Sequence, residues 1–339
     1  MSLLSTKIIK KQKNTLFGSS YITINNNHRS FVCGIKGKYL SYKEKKFLIK
    51  YKPWGIILFS RNIKSIRQTQ MLTNTIKKIF KNENYPILID EEGGRISRLK
   101  NFIDNSIFTA KYFGDLYKIN NKKFEIYYSV YIKQISYLLK TLGININSVP
   151  VLDIRRFKSH NIIGDRSYST DKKIVSKIGN ICIEKFHNNR IATIIKHIPG
   201  HGLARSDSHK KLPIINKKIG YLLKNDFQTF KNKSSLLAMT GHLLYKNIDN
   251  TDAATHSRKI INIIRNKIGF KNLIITDDLS MKSLKYSLED NVKKSFLAGC
   301  NLVLHCNGIL KEMLVVAKNS PKIDKFIIKK TSQLSDIIS

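Results

Sequence analysis

The stretch YPILIDEEGGRISR, residues 85–98, joins a short aliphatic run to a cluster of charged residues and a pair of glycines. The run YPILI has the length and composition of a buried β-strand. Similar runs recur along the chain, separated by longer Lys-rich amphipathic segments that are typical of helices. They are FVCGI (31–35), GIILF (55–59), ININSVPVL (144–152), ATII (192–195), SLLAM (235–239), NLIIT (272–276) and NLVLH (301–305).

Three of the intervening segments, 41–51, 63–81 and 123–143, show the helical pattern. The first opens with Ser41 and Glu44, which have the spacing of a capping box. Strands and helices that alternate eight times predict an α/β protein with a parallel sheet. That sheet is either closed into a single (β/α)₈ TIM-type barrel or open and doubly wound.

Clusters of polar and charged residues follow most of these strands directly, and their position favours the barrel. They are SRN (60–62), DEEGGRISR (90–98), DIRR (153–156), KHIPGHG (196–202), TGH (240–242) and DDLSM (277–281). Barrels of this type form their sites at the C-terminal ends of several strands. We therefore expect an N-terminal extension, residues 1–30, followed by one (β/α)₈ domain, residues 31–339.

The chain is strongly basic, with 61 Lys and Arg against 23 Asp and Glu and a formal net charge of +38. The basic residues are spread along the whole length together with Ile and Asn, which indicates compositional drift. A nucleic-acid binder would concentrate them in one arm, helix or stripe, so we expect no nucleic-acid partner. The four cysteines match no zinc or redox spacing. Neither a signal-peptide core nor an apolar run of about 18 residues occurs, so we expect a cytoplasmic protein without membrane contact.

The adjacent carboxylates Asp277 and Asp278 follow a strand, where neighbouring side chains point to opposite sides. Only one of them can face the barrel mouth. We assign Asp277 to the pocket and Asp278 to capping the next helix, although spacing alone hardly separates the two. In DEEGGRISR the glycine pair permits a tight loop or a close backbone approach to a ligand, while Asp90 and Arg98 suit polyols or carboxylates.

The segment KHIPGHGLARSDSHKKLP, residues 196–213, contains three histidines. Ligation of a metal by His197, His201 and His209 is one interpretation, but HIPGH is not the HExxH pattern of a zinc site. A second interpretation pairs Asp207 with His209, because a carboxylate can fix the tautomer of an imidazole and leave its other nitrogen free for proton transfer. Taken alone, DSH also fits an ordinary surface loop.

Together the motifs IDEEGGRISRL, PVLDI, IIGDRSY, KHIPGHG with SDSHKKLP, MTGHLLY, ITDDLSM and AGCNLVLHCN resemble one family. The chain is similar, over residues 31–307, to the β-N-acetylglucosaminidases of glycoside hydrolase family 3, the single-domain bacterial enzymes of peptidoglycan recycling. PWGIILFSRN (53–62) also matches. The resemblance implies a (β/α)₈ catalytic domain, hydrolysis of terminal β-linked N-acetylglucosamine, a muropeptide substrate, and no metal or organic cofactor.

The resemblance also implies roles for particular residues. Asp277 falls on the family's nucleophile, and His209 falls on its acid/base, with Asp207 as its partner. The implied sugar-binding positions are Asp90, Arg98, Arg166, Lys196 and His197. His242 is a further candidate for the pocket.

The implied reaction is retaining hydrolysis through a covalent glycosyl-aspartate. The implied substrate is N-acetylglucosaminyl-anhydro-N-acetylmuramic acid, with or without peptide, and we expect a monomer. Two alternatives stay open: a family 3 β-glucosidase of different sugar specificity, and a degenerate basic barrel that binds nucleic acid or anionic glycan.

Overall fold

The structure, a computed structural model, describes residues 24–157, 161–207 and 211–339. Eight of its strands form a closed barrel in the order β1-β10-β9-β7-β5-β4-β3-β2, and every neighbouring pair is parallel. The strands are β1 (Arg29–Gly34), β2 (Pro53–Leu58), β3 (Ile87–Ile89), β4 (Ile146–Asn147), β5 (Ala192–Ile198), β6 (Ile214–Ile215), β7 (Leu237–Thr240), β8 (Leu244–Tyr245), β9 (Leu273–Asp278) and β10 (Leu302–His305). The predicted barrel is confirmed, and the open sheet is wrong.

Helices connect the barrel strands and pack around them. They are α1 (Tyr42–Tyr51), α2 (Ile66–Phe80), α3 (Ala110–Ile119), α4 (Asn121–Thr141), α5 (Lys172–Asn188), α6 (Ile219–Lys224), α7 (Arg258–Ile263), α8 (Leu288–Ala298), α9 (Leu310–Asn319) and α10 (Lys325–Ile338). The predicted capping box is present, because Ser41 and Glu44 exchange hydrogen bonds at the start of α1. None of the described helices combines the length and the apolar composition needed to span a bilayer.

The apolar core has two layers, which follow from the two-residue period of a strand. Along β9, Leu273 and Ile275 belong to the cluster inside the barrel, while Ile274 belongs to the larger cluster between strands and helices. In β2 the same alternation sends Ile57 inward and Ile56 outward. Burial on both faces explains why these strands are almost continuously aliphatic.

Two boundaries differ from the sequence-based expectation. Strand β1 begins at Arg29, two residues before the expected start of the barrel domain. Strand β4 is only two residues long, and the chain after it bends through Pro150 before Val151 bridges to Lys196 of β5. Strands β6 and β8 form a separate two-stranded sheet, and their hydrogen bonds join the segment after the DSH motif to the loop after β7.

Candidate active site

A cleft opens at the C-terminal ends of the barrel strands, with a volume of about 660 Å³ that includes its open mouth. The cleft is lined by His201 and by six residues expected to act in catalysis or to bind the sugar: Asp90, Arg98, Arg166, Lys196, His197 and Asp277. The apolar part of the lining comes mainly from Ile96, Ile162, Ile163, Met239 and Leu304. The loops therefore bring distant motifs into one site.

Lys196 of β5 lies at the centre of the charged side of the cleft. Its Nζ is 3.0 Å from Asp90 Oδ1, 2.7 Å from Glu92 Oε1 and donates to Ser148 Oγ at 2.7 Å. Burial disfavours a charged lysine, but the two carboxylates outweigh burial and raise the pKa of Lys196. Burial likewise opposes ionisation of Asp90, yet Lys196 and Arg98 hold its pKa well below the usual range. Both groups are therefore charged at neutral pH.

Arg166 and Glu92, which both line the cleft, form a bidentate ion pair. The Nε and NH2 of Arg166 are 2.7 and 2.8 Å from the two carboxylate oxygens of Glu92. Burial works against the charge on Glu92, but Arg166 and Lys196 lower its pKa to about 2. Arg166 NH1 also donates to the carbonyl of Ile162 at 3.1 Å. The planar fork of arginine matches a carboxylate, and this pair fixes the Arg166 side chain.

His197 is oriented by Asp153, a fully buried carboxylate that follows β4. Asp153 Oδ2 accepts a hydrogen bond of 2.7 Å from His197 Nδ1, and Oδ1 accepts the backbone N–H of His201 at 2.6 Å. Burial would raise the pKa of Asp153, but His197 lowers it. With its proton on Nδ1, His197 keeps Nε2 as an acceptor, 3.4 Å from Arg166 NH2. The ring therefore points a defined nitrogen towards the cleft.

Asp277 and Asp278 end β9 and serve different purposes. One oxygen of Asp277 accepts the backbone N–H of Asp278 at 2.8 Å, and the side chain lines the cleft. Burial opposes its ionisation, but nearby His242 and His197 lower its pKa. Within the described residues, its other oxygen has no hydrogen-bond donor. The carboxylate is thus charged and available to a ligand.

The expectation that Asp278 caps the next helix is wrong. Its carboxylate accepts hydrogen bonds from Ser280 N, Ser280 Oγ and Cys306 N, at 2.7 to 3.0 Å. The next helix, α8, begins ten residues later and is capped by Ser287. Asp278 instead closes a tight turn and ties β9 to the end of β10.

His242 lies behind the cleft and is absent from its lining. Its Nε2 is 3.0 Å from the carbonyl oxygen of Asp278, and its Nδ1 is 2.8 Å from Thr255 Oγ1. Burial lowers the pKa of His242, although the charge of Asp277 opposes that effect. His242 therefore supports the end of β9 through its hydrogen bond to Asp278.

Glu91 organises the DEEGGRISR loop from beneath. Its carboxylate accepts hydrogen bonds from Arg98 N, Leu99 N, Ser97 Oγ and Asn105 Nδ2. Burial raises its pKa.

Of the two expected uses of the glycine pair, the structure shows the tight loop, and neither glycine lines the cleft. Gly93 and Gly94 have φ of +87° and +58°, and a Cβ on them would lie 2.4 Å from the Phe108 carbonyl oxygen and 2.6 Å from the Thr109 methyl. The close approach that requires glycine is to the protein itself.

Of the predicted acid/base pair, Asp207 and His209, the structure describes only Asp207. Asp207 is half-buried and is absent from the residues lining the cleft. His209 lies outside the described residues. Among residues 24–157, 161–207 and 211–339, no group of three or more His, Cys, Asp or Glu is arranged to hold a metal. Two of the three histidines in the motif, His197 and His201, are instead joined through Asp153, and burial lowers the pKa of His201 to about 4.

Comparison with known proteins agrees with this geometry. The profile described as "Glycosyl hydrolase family 3 N terminal domain" matches residues 33–331. The chain belongs to glycosyl hydrolase family 3. A relative from Hydrogenovibrio crunogenus, named β-hexosaminidase, is 30% identical over 78% of this chain and 74% of its own length. This chain is accordingly a glycoside hydrolase of the β-hexosaminidase group within family 3.

Two solved structures share the fold. NagZ from Neisseria gonorrhoeae, in complex with zinc ion, has a TM-score of 0.77 and 26% identity and covers 92% of this chain and 91% of its own. A family 3 β-N-acetylglucosaminidase from Paenibacillus sp. str. FPU-7 has a TM-score of 0.81 at 24% identity. The match covers 93% of this chain but only 62% of the Paenibacillus protein. This second likeness bears on the fold alone.

Sequence reasoning missed two residues that hold the site together. Glu92 is two positions from Asp90, so the period of an extended segment already places both on one side. Asp153 follows PVL at a strand end, the same position that singled out the other candidates. Its partner in space, His197, is 44 residues away in the chain, and only the barrel brings the two together.

Proposed function

We propose that the chain is a retaining exo-β-N-acetylglucosaminidase that releases terminal N-acetylglucosamine through a covalent bond to Asp277. The observation that carries this proposal is the state of Asp277, an ionised carboxylate with one hydrogen-bonded oxygen at the end of β9. A carboxylate in that state can attack an anomeric carbon.

A retaining enzyme also needs a general acid for the leaving oxygen. The three carboxylates that line the cleft, Asp90, Glu92 and Asp277, all have lowered pKa values, so none holds a proton at neutral pH. This supports an acid of another type, His209, with Asp207 orienting it. In the second step the same imidazole removes a proton from the attacking water.

The charged side of the cleft suits the hydroxyls of a sugar ring. Asp90 and His197 Nε2 present acceptors, whereas Lys196, Arg98 and Arg166 present donors. All of them line the cleft, and most are held by partners within the protein. Prior orientation of this kind reduces the entropy lost on binding, so we assign these five residues to recognition of the non-reducing sugar.

The proposed natural substrate is N-acetylglucosaminyl-anhydro-N-acetylmuramic acid, with or without its peptide. This assignment rests on the family resemblance. It is supported by the protein's net charge of +38, because the leaving portion carries carboxylates and a basic surface speeds capture of anions.

The test is turnover of a chromogenic β-N-acetylglucosaminide by the wild-type chain and by Asp277→Asn, which keeps the size of the side chain. We expect the variant to lose at least about 1000-fold in kcat, because the nucleophile is removed. Asp115→Asn, at a partly exposed position of α3 outside the cleft lining, is the matched control and should retain full activity. Equal activity of Asp277→Asn and wild type would overturn the nucleophile assignment.

Three further measurements test the rest of the proposal. A slow fluorinated N-acetylglucosaminide should label the peptide that contains Asp277. The matched β-glucoside should be a poor substrate, and its preferred turnover would favour the β-glucosidase alternative. His209→Ala should lose far more rate on a poor leaving group than on an activated one, because the latter needs little protonation.

A further inference from the structure

The aromatic ring of Phe59, directly after β2, lies between two arginines. The guanidinium carbon of Arg61 is 4.8 Å from the ring centroid, and that of Arg98 is 5.4 Å from it. Both distances are within the range of cation–π contacts. The ring is half-buried, so the three side chains form a compact platform with two positive charges.

Arg61 is positioned by main-chain carbonyls and has no carboxylate partner. Its Nε donates to the Ile35 carbonyl at 2.9 Å, and its NH2 donates to the carbonyl of Cys306. Within the described part of the chain, no Asp or Glu oxygen lies within 4.0 Å of its guanidinium nitrogens. Partial burial lowers the pKa of Arg61, the charge of Asp278 raises it, and Arg98 lowers it further. A neighbouring anion would therefore stabilise it.

Arg98, the second arginine of the platform, has a single long carboxylate contact. Its only ion-pair contact in the described residues is 3.5 Å to Asp90, which Lys196 already neutralises at 3.0 Å. The Nε of Arg98 is buried and has no hydrogen-bond partner among those residues. Arg98 therefore shares its one carboxylate with Lys196 and keeps donors available to a ligand.

The platform stands at the edge of the cleft beside the proposed nucleophile. Arg98 and Cys306 line the cleft, and Arg61 reaches the same wall through the Cys306 carbonyl. The backbone N–H of Cys306 binds Asp278, the residue after Asp277. Arg61 itself lies outside the lining and is exposed. The platform therefore borders the same cleft as Asp277. The leaving portion of a substrate bound at Asp277 extends towards the mouth of this cleft.

The geometry points to Arg61, on the Phe59 platform with Arg98, as a binding site for a carboxylate in the leaving portion of the substrate. An arginine with fixed orientation binds a carboxylate through two parallel hydrogen bonds. This inference rests on the proposed function and deepens it, since it makes Arg61 a determinant of leaving-group specificity.

The experiment compares two aryl β-N-acetylglucosaminides whose phenols have the same pKa. One carries a carboxymethyl group on the ring and the other its neutral N-methylamide, and release of N-acetylglucosamine is measured for both. We expect wild type to favour the carboxylate by about 10-fold in kcat/KM, which corresponds to about 1.4 kcal/mol. Arg61→Gln should reduce this ratio to near one.

The ratio of the two substrates is the readout, so a general loss of activity does not mimic the result. Arg61→Lys should keep part of the preference, because it retains the charge but not the planar fork. Phe59→Leu should lower the ratio through loss of the ring that supports both arginines. Arg67→Gln, an exposed position on α2, is the control and should keep the wild-type ratio.

The possible outcomes are distinct. Wild type without a preference, or Arg61→Gln with the wild-type preference, would overturn the inference while the proposed function stands. If Arg67→Gln lowers the ratio as much as Arg61→Gln, net charge is the cause and the site is wrong. If wild type turns over neither substrate, the proposed function fails as well.

Discussion

The two sides of the cleft are built in different ways. On the β3–β5 side, Asp90, Glu92, Lys196 and Arg166 are bound to one another through ion pairs. On the β9–β10 side, Asp277 has a single hydrogen bond to its own strand, and Leu304 provides an apolar surface. One side is locked before a ligand arrives, while the other keeps its carboxylate free.

This difference indicates a separation between recognition and chemistry. Groups that recognise a sugar gain from being fixed in advance, because less entropy is lost on binding. A nucleophile needs an oxygen that is not already committed to strong donors. Mutations on the two sides should therefore differ in their effects on stability and on rate.

The largest effect on stability is expected for Glu92→Gln. The side chains of Glu92, Arg166 and Lys196 are all buried to at least 90%, and the variant leaves two cations with one carboxylate fewer. Removing one partner of a buried ion pair lowers the free energy of unfolding by about 3–5 kcal/mol. In urea denaturation, this loss should appear as a lower midpoint. Glu289→Gln, in an exposed pair with Lys293, is the matched control and should leave the midpoint unchanged. A similar shift of the urea midpoint in both variants would refute the claim that buried ion pairs stabilise the β3–β5 side of the cleft.

Asp153→Asn should mainly impair substrate binding. The amide can still accept backbone N–H groups, but its nitrogen cannot accept the proton of His197 Nδ1. Loss of a hydrogen bond to a charged group is worth about 1.5–3 kcal/mol, or roughly 10- to 150-fold in kcat/KM. In steady-state kinetics, most of this loss should appear as a higher KM. Asp153→Glu should also have a lower kcat/KM than wild type, because the filled pocket has no room for the longer side chain. A variant with normal KM and low kcat would instead link Asp153 to the chemical step.

The ion pairs on the locked side also predict a pH dependence. Glu92 has a folded pKa of about 2 against an ordinary value of 4.5. Its contribution to stability is therefore complete above pH 4.5 and is lost as pH falls towards 2. The difference in melting temperature between wild type and Glu92→Gln should be largest at pH 7. At pH 5.5 this difference should be nearly as large as at pH 7, and at pH 3 it should be smaller. A difference that stays constant down to pH 3 would contradict this ion-pair assignment.

The smallest effect is expected for Ser280→Ala on the β9–β10 side. The variant removes the 2.7 Å hydrogen bond from Ser280 Oγ to Asp278 but keeps two backbone donors to the same carboxylate. Urea denaturation should show a loss of about 1 kcal/mol in the free energy of unfolding. Steady-state kinetics should show less than a twofold change in kcat. A large loss of kcat would mean that the Asp278 turn helps to position Asp277.

The sequence was sufficient for the barrel because each strand is buried on both faces and appears as an aliphatic run. It also indicated which strand ends carry the site. It could not separate the roles of Asp277 and Asp278, because the donors to Asp278 include Cys306, 28 residues away. The Asp153 pair with His197 was hidden for the same reason. Contacts between strands distant in sequence decide which polar residue supports another, and local spacing does not contain them.

The turn at Gly93 and Gly94 has a consequence for how this enzyme could diversify. A side chain at either position would collide with Phe108 or Thr109, and the same loop carries Asp90, Glu92 and Arg98. A side chain at either glycine would therefore shift the turn from which these three side chains project. Phe59 and Arg61 follow β2, next to this loop, and the Phe59 ring contacts Arg98 of the loop. A substitution at Phe59 would therefore disturb Arg98 as well, so leaving-group preference and sugar recognition are coupled at this edge of the cleft.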